Sequence, residues 1–328
     1  MKQLKRIMVA FFVVLTATLN AQVTTSGIAG KISSQGQPVL GATVVATHTP
    51  SGTVYGAVSN EDGRFNIVGM RVGGPYEIKI SYIGFADVKI SNVNLQLGET
   101  YPVNVNLKED AKELQDLVVT GVRTKFTTEK TGAVTNINTS QIENLPTVSR
   151  SILDVTRLSP YGGNGMSFAG TDGRTANFTV DGANFNNNFG LSSSLPGGGN
   201  PISIEAIEEL QVVITPYDVR QTNFIGGGVN AITKSGTNTF KGNAYIYHRN
   251  ENLRGDAVYG NQITGARAVD RNTTYGMSFG GPIIKNKLFF FVSGEMSKTP
   301  TIVNRWMAST DGVADADNYI SRATLSDL

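Results

Sequence analysis

Residues 276–280 form the first pattern in the sequence that could support covalent chemistry. They follow the G-x-S-x-G spacing, which can hold a serine nucleophile, here Ser278, on a sharp turn from a strand into a helix. Such a serine also needs a histidine and an acid beside it, and the chain has only two histidines, His48 and His248. Because Ser278 lies in a run of alternating residues that a proline soon follows, we expect it inside a strand. We therefore expect that the chain is not an enzyme.

Metal and redox chemistry have little support in the composition. The chain has no cysteine, which excludes disulfides, thiolate zinc sites and cysteine nucleophiles. Asp311, Asp315, Asp317 and Asn318 could supply oxygen ligands to calcium, but they lack the full spacing of an EF-hand loop, and we favour a solvated acidic loop. We expect no bound metal and no cofactor.

Length and charge limit the classes of protein that remain. A chain of 328 residues with 40% hydrophobic residues can hold two or three domains with sizeable cores. Lysine and arginine number 28 against 26 aspartates and glutamates, so no excess of basic charge indicates nucleic acid as a partner. We expect a folded protein that consists of several domains.

The N-terminus has the pattern of a secretory signal peptide. Lys2, Lys5 and Arg6 precede an apolar run at 7–19, and small and polar residues follow it before a cleavage site near residue 21. A membrane-spanning helix, the alternative, needs about 20 apolar residues. We expect residues 1–21 to be a signal peptide, and any membrane insertion of the mature chain to use strands.

Residues 23–108 contain repeated short β-like runs separated by turn residues. These runs lie at 27–33, 42–47, 52–58, 64–68, 76–82, 87–90 and 102–107, with a strong turn signal at 60–63. No helical period separates them, which favours an antiparallel β-sandwich. The wording of 30–32, 38–44, 59–65 and 80–85 resembles the carboxypeptidase-regulatory-like, transthyretin-type module. That resemblance brings no catalytic residues.

Residues 109–123 are a charged linker that contains the β-branched run Leu117, Val118, Val119 and Thr120. The run could be the first strand of the next domain, or a free segment that adds as a strand to a partner's sheet. With Asp116 before it and a glycine after it, the run resembles the TonB box of Bacteroidetes outer-membrane receptors. The resemblance implies that residues 116–120, the coupling segment below, bind TonB and its inner-membrane energising complex.

Residues 124–235 combine helix and strand signals, which favours a small mixed α/β domain. We expect helices near 140–145, with Ser140 beginning a capping box, at 149–158 and at 201–209. Strands are expected at 177–180, 210–215 and 227–233. The motifs at 143–146, 178–182, 207–212 and 226–236 resemble the plug domain of TonB-dependent receptors.

Two loops of the plug-like region, 161–174 and 184–200, have no regular period. Composition alone indicates solvated loops. In a plug, such loops point into the barrel and can contact the incoming ligand. The resemblance therefore makes candidates of the polar residues in these loops: Asn164, Asp172, Arg174, Asn186, Asn187 and Asn188.

Residues 236–328 hold the alternating stretches that indicate membrane strands. A strand at 240–249 precedes a long polar loop, and residues 274–297 form a hairpin with its turn at 282–287. Long and short connections alternate in outer-membrane barrels. Tyr245 and Tyr247 share one face of the first strand and Ala244 and Ile246 the other, so the sequence leaves open which face meets lipid.

Together the segments resemble the N-terminal part of a TonB-dependent receptor of the Oar-like subgroup. Residues 280–291 resemble the early barrel hairpin of that subgroup. The expected fold is mainly β and multidomain: a sandwich, a mixed α/β plug and the first strands of a transmembrane barrel. Because three strands cannot close a barrel, we expect the chain to be a fragment of a longer receptor.

The resemblance implies TonB-dependent import of an extracellular solute across the outer membrane, with the N-terminal domains in the periplasm. The expected partners are TonB, outer-membrane lipid and an unidentified ligand. A SusC-type glycan importer and a non-transporting adhesive or structural β-protein are the alternatives. A SusC-type importer usually has a Ser-Ile-Arg-Gly-like motif before the Asp-Gly of its plug. In this chain the corresponding residues 167–174 are SFAGTDGR.

Overall fold

The computed structural model describes residues 23–109, 117–120, 132–147, 150–186, 195, 200–216, 221–222, 224–255, 257–262, 270–300, 307–308 and 319–320. The expected signal peptide lies outside these residues. The described chain is mainly β and multidomain, as the sequence predicts. It divides into two compact units, residues 1–241 with 279–292, and residues 242–278 with 293–328. No helix among the described residues is long and apolar enough to cross a membrane.

The N-terminal sandwich contains nine strands and receives a tenth from the linker. Its strands are β1 Ser26–Ser34, β2 Gln37–Pro38, β3 Thr43–His48, β4 Thr53–Val58, β5 Arg64–Met70, β6 Gly73–Ser81, β7 Val88–Leu95, β8 Thr100–Pro102, β9 Val105–Asn106 and β10 Leu117–Thr120. One sheet has the order β2-β1-β5, with β8 and β9 also paired to β1, and the other has the order β10-β7-β6-β3-β4.

Period-2 alternation builds the core of the sandwich. Inward residues such as Val44 on β3 and Ile78 on β6 are fully buried, while their neighbours along each strand are more exposed. The predicted turn at 60–63 forms: the Asn60 side chain accepts hydrogen bonds from two later backbone amides, and Gly63 has a φ of 74°. The seven predicted β runs thus correspond to strands, with the last one split into β8 and β9.

The mixed domain places short helices beside a five-stranded sheet. Its elements are β11 Val134–Asn138, α1 Thr139–Asn144, α2 Ile152–Thr156, β12 Asn177–Val180, β13 Ala183–Asn184, β14 Ile207–Val213 and β15 Gly228–Thr233. The strand order is β11-β14-β15-β12-β13, with β12 parallel to β15 and the other neighbours antiparallel. Phe168, Phe178 and Leu210 are fully buried in the core.

The helices differ from the predicted ones in their starting points and lengths. Asn138, not Ser140, caps α1, because the Asn138 side chain accepts from the Gln141 amide while the Gln141 side chain accepts from the Asn138 amide. The second helix is five residues long, and Ser151 caps it. The capping motif was correctly expected at the start of α1, but two residues too late.

The predicted helix at 201–209 is wrong. Residues Ile204–Ala206 form one 3-10 turn capped by Ser203, and the chain then enters β14 at Ile207. Pairing with β11 on one side and β15 on the other gives the run from Ile207 both a hydrogen-bonded ladder and a buried face. This tertiary pairing outweighs the local helix-start signal.

The C-terminal strands form an open sheet and two small pairs. They are β16 Lys241–Arg249, β17 Ala257–Val258, β18 Asn261–Gln262, β19 Asn272–Ile284, β20 Leu288–Lys298, β21 Met307–Ala308 and β22 Tyr319–Ile320. The sheet has the order β16-β19-β20. Its hairpin turn spans 285–287 and is therefore shorter than predicted, with Asn286 at a φ of 62°. Ser278 lies inside β19, as expected.

The structure settles which face of β16 is polar. The Tyr245 hydroxyl donates to the Glu295 carboxylate, and a side chain at Gly276 would collide with the Tyr245 ring. Tyr245 therefore shares the face of β19 that carries small residues. Ile246 lies on the opposite face and is 63% exposed. The face that carries Ile246 is therefore the apolar face of β16, and exposed Met277 lies on the corresponding face of β19.

Candidate coupling and ligand site

The predicted coupling segment forms the edge strand of a sandwich sheet. Strand β10 runs parallel to β7, with Leu117 opposite Val88 and Thr120 opposite Ser91. The strand is terminal in the order β10-β7-β6-β3-β4, so its second edge pairs with no other strand of the described chain. Asp116 lies outside the described residues. The arrangement leaves half of the main-chain groups of β10 directed away from the sandwich.

A second feature of this region is the contact of the sandwich with the mixed domain. Leu97, in the turn after β7, is fully buried with Val23 and Val72 of the sandwich, and Ile232 of β15 packs against these three residues. Apolar contact of this kind excludes water from the polar groups around it. Leu97 thus forms the apolar centre of the contact.

The backbone of Leu97 is held by polar side chains of the mixed domain. Its amide donates to the Glu209 carboxylate at 3.0 Å, and its carbonyl accepts from Asn136 at 3.1 Å and from Gln211. Asn136 also donates to the same Glu209 oxygen at 2.7 Å. We call Leu97, Asn136, Glu209 and Gln211 the Leu97 pin. It pairs both backbone groups of a buried residue, which would otherwise be costly to desolvate.

Glu209 is the titratable group of the pin, and it is 3% exposed. Burial raises the pKa of its carboxyl to about 7, against the opposing effect of the hydrogen bonds from Leu97 and Asn136. The nearby carboxylates of Glu99 and Glu208 raise the pKa further. Glu209 therefore changes charge near neutral pH, between two domains.

The polar contacts continue across the sheet of the mixed domain. Asn230 of β15 donates to Gln211 at 3.3 Å, and Thr179 of β12 donates to Asn230 at 2.8 Å. A line of buried polar side chains therefore runs from Leu97 through β14 and β15 to β12. No pattern in the sequence predicts this line. Its only local signal is the polar pair Glu209 and Gln211, two positions apart within an apolar strand.

The sandwich also contacts the segment that leads into β16. The amide of Asn238 donates to the Pro50 carbonyl at 2.8 Å, and Arg71 donates to the Ser235 carbonyl at 3.4 Å. Asn238 exchanges two hydrogen bonds with Asn286 of the hairpin turn. Within this compact unit, the sandwich therefore contacts segments that come before β14 and after β15 along the chain.

The predicted ligand residues make three separate sets of contacts. Asp172 and Arg174 form an ion pair with each other, which lowers the pKa of the Asp172 carboxyl. Asn164 accepts from Arg157 at 3.3 Å. Among the described residues, the structure therefore does not gather these candidates into one cluster, and their role in ligand binding stays a prediction.

Asn186 is already engaged in the sheet of the mixed domain. Its side-chain oxygen accepts from the Phe178 amide and its nitrogen donates to Asn177, which fixes the chain beside β12. Asn187 and Asn188 lie outside the described residues. A bound ligand would have to compete with these contacts to use the Asn186 amide.

The residues weighed for catalysis and metal binding have structural surroundings. His48 is buried against the Tyr76 ring and lies 2.6 Å from the Ser51 hydroxyl. Burial lowers its pKa to about 4, with a smaller contribution from Arg71, so the ring is neutral at neutral pH. No group of three or more metal-ligating side chains occurs within the described residues.

Two family models match separate parts of the chain. Residues 27–108 match the carboxypeptidase regulatory-like domain, and residues 232–309 match an outer membrane beta barrel domain. The first match covers the sandwich, and the second covers the open sheet that carries the apolar rows.

Two curated relatives carry names that bear on function. The TonB-dependent transporter Oar of Myxococcus xanthus is 26% identical over 78% of this chain and 25% of its own length. The TonB-dependent receptor P3 of Formosa agariphila is 28% identical over 45% of this chain and 14% of its own length. The matches support the TonB-dependent receptor family.

The solved siderophore receptor PirA of Acinetobacter baumannii is also similar. It is 24% identical, covers 51% of this chain and 24% of its own, and gives a TM-score of 0.40. The chain spans a quarter of the Oar transporter's length and less of the P3 receptor's. The two relatives are named as a transporter and a receptor rather than as enzymes. The match to an outer membrane beta barrel domain, together with these relatives, indicates that the protein is located in the outer membrane.

Proposed function

We propose that this protein imports an extracellular solute across the outer membrane, driven by TonB through residues 116–120. One observation carries the proposal: Leu117–Thr120 forms an edge strand in the linker between the sandwich and the mixed domain. An edge strand offers main-chain groups to a partner strand whatever its side chains are. TonB would bind the segment in this way.

The mixed domain has the role of the plug in this proposal. Ligand binds from outside, and the plug blocks the pore until TonB pulls on the coupling segment. The inner-membrane complex that energises TonB supplies the work from the proton-motive force. The sandwich and the coupling segment face the periplasm, and the loops around Asn164, Asp172, Arg174 and Asn186–Asn188 face the ligand. No covalent step is involved.

We further propose that the protein belongs to the Oar-like subgroup. The regulatory-like sandwich and the 26% identity to the Oar transporter over 78% of the chain support this placement. The SusC-type alternative expects a Ser-Ile-Arg-Gly-like motif, whereas residues 167–174 read SFAGTDGR. The imported solute is therefore not assigned to the glycans.

The direct test is binding of the purified periplasmic domain of TonB to the protein solubilised in detergent from outer membranes, where the periplasmic face is accessible. Deleting residues 116–120 should abolish receptor-dependent binding, because the strand that pairs with TonB is gone. The matched control removes residues 111–115, an equal length from the same linker, and should keep binding. Equal binding by both deletions and the wild type would refute the role of the coupling segment, and absence of any binding would favour a non-transporting β-protein.

A further inference from the structure

We propose that the sandwich presents the coupling segment: β10 stays paired to β7 while a strand of TonB adds to the outer edge of β10. This inference rests on the proposed function and adds an interaction surface to it. The surface is the outer edge of Leu117–Thr120, and the partner it fits is an extended strand. In this proposal the regulatory-like sandwich takes part in coupling, because it holds the strand to which TonB binds.

The geometry of the sheet provides the first argument. In a parallel ladder, alternate residues of a strand form hydrogen bonds with the strand on one side. The residues between them direct their main-chain groups to the other side. Pairing of β10 with β7 therefore uses alternate residues and leaves the others directed outward. In the described chain, β10 is the last strand on this side of its sheet. A sixth strand can be added without displacing β10.

Conformational order provides the second argument. A free linker segment must lose backbone entropy when it pairs with a partner, and this loss weakens binding. Strand β10 already has its extended conformation, with four residues in register from Leu117 opposite Val88 to Thr120 opposite Ser91. A partner strand meets a segment that is already ordered.

The anchoring of the sandwich shows where a pull on β10 would be transmitted. Strand β7 leads directly to Leu97, whose backbone is held by Glu209 and Gln211 of β14 and by Asn136 of β11. A force on β10 therefore reaches the sheet of the mixed domain through the sandwich, in addition to the linker that follows Thr120. The Leu97 pin is the contact that would bear this force.

The 328 residues contain no cysteine, so an engineered pair within them has no competing thiol in this part of the protein. Ser91→Cys with Thr120→Cys joins two residues that face each other in the ladder. Lys89→Cys with Thr120→Cys is the matched control, displaced by two residues along β7. Neighbouring strand positions lie within reach of a disulfide, whereas the displaced pair is about 7–8 Å apart, beyond the usual limit.

Each variant would be oxidised in outer membranes and solubilised in detergent, and binding of the purified periplasmic domain of TonB would be measured before and after reduction. We expect the facing pair to crosslink, the displaced pair not to, and the oxidised facing pair to bind TonB within about threefold of its reduced form, because docking has already ordered the segment.

Three results would overturn the inference. A facing pair that does not crosslink, although its reduced form binds TonB, would show that β10 is not docked on β7. A crosslinked pair that loses binding and regains it on reduction would show that TonB requires the segment to leave the sandwich. Absence of binding even by the wild-type protein would overturn the proposed function together with this inference.

Discussion

At the scale of single residues, the buried carboxyl of Glu209 depends on the polar groups around it. A carboxyl buried to 3% exposure is tolerated only with hydrogen-bond partners or a proton. It has donors from Leu97 and Asn136, yet burial still raises its pKa to about 7. We therefore expect the contact between the sandwich and the mixed domain to depend on pH in the neutral range.

The pH dependence of stability tests this assignment. Unfolded Glu209 releases its proton near pH 4.5 and folded Glu209 near 7. Between these values the folded state holds a proton that the unfolded state has lost, so the free energy of unfolding should fall as pH rises, by about 3 kcal/mol at most. Pulse proteolysis in urea, followed on peptides from residues 23–233, measures it.

Glu209→Gln should flatten this pH profile, because the amide has no charge to desolvate. The neighbouring variant Glu208→Gln is the control and should keep most of the wild-type slope, because the buried Glu209 carboxyl remains and only a minor contribution to its pKa is removed. An unchanged slope in Glu209→Gln would contradict the assignment of the pH dependence to this carboxyl.

The sequence reveals some of the candidate residues and hides others, for a physical reason. Leu117–Thr120 can be recognised because a β-branched run in a charged linker is a local signal. Glu209 cannot, because its partner Leu97 is more than a hundred positions away, and nothing local specifies that contact. The pairing of β10 with β7, a parallel long-range ladder, was equally invisible.

At the scale of elements, strands with clear alternation were predicted well and short helices were not. Strand β19 was expected from residue 274 and begins at Asn272, because its two faces differ clearly over residues 274–279. The helices α1 and α2 have six and five residues, too few for a helical period to show. Their starts depend on single caps, and two candidate caps, Asn138 and Ser140, compete within three positions.

The two faces of β19 give a test of its membrane placement. Met277 is 64% exposed on the apolar face, and Ser278 lies next to it on the opposite face. Met277→Lys should reduce the amount of folded protein in the outer membrane, because a lysine facing lipid costs about 2–4 kcal/mol at mid-depth. Heat-modifiable mobility on gels measures the folded fraction.

Ser278→Lys is the matched control one residue away. It should leave most of the protein folded, because its side chain faces away from lipid. Equal loss of folded protein in both variants, or in neither, would contradict the assigned faces of the strand.

At the scale of the whole molecule, separate modules are joined by few but specific contacts. The sandwich contacts the mixed domain through the Leu97 pin and the segment before β16 through Pro50 and Asn238. The division into modules was predicted from the sequence because each segment has its own local pattern, and it stays a prediction. Their mutual contacts could not be predicted, because they join turns that have no pattern of their own.

The central claim is energised import through residues 116–120, and solute removal from a complex medium tests it most directly. Mass spectrometry of the medium would compare wild-type cells, cells lacking the protein, cells lacking TonB and cells with residues 116–120 deleted. We predict that at least one solute is removed by wild-type cells only. If the 116–120 deletion removes every receptor-dependent solute as fast as wild type does, or if no solute depends on the protein, the account is contradicted.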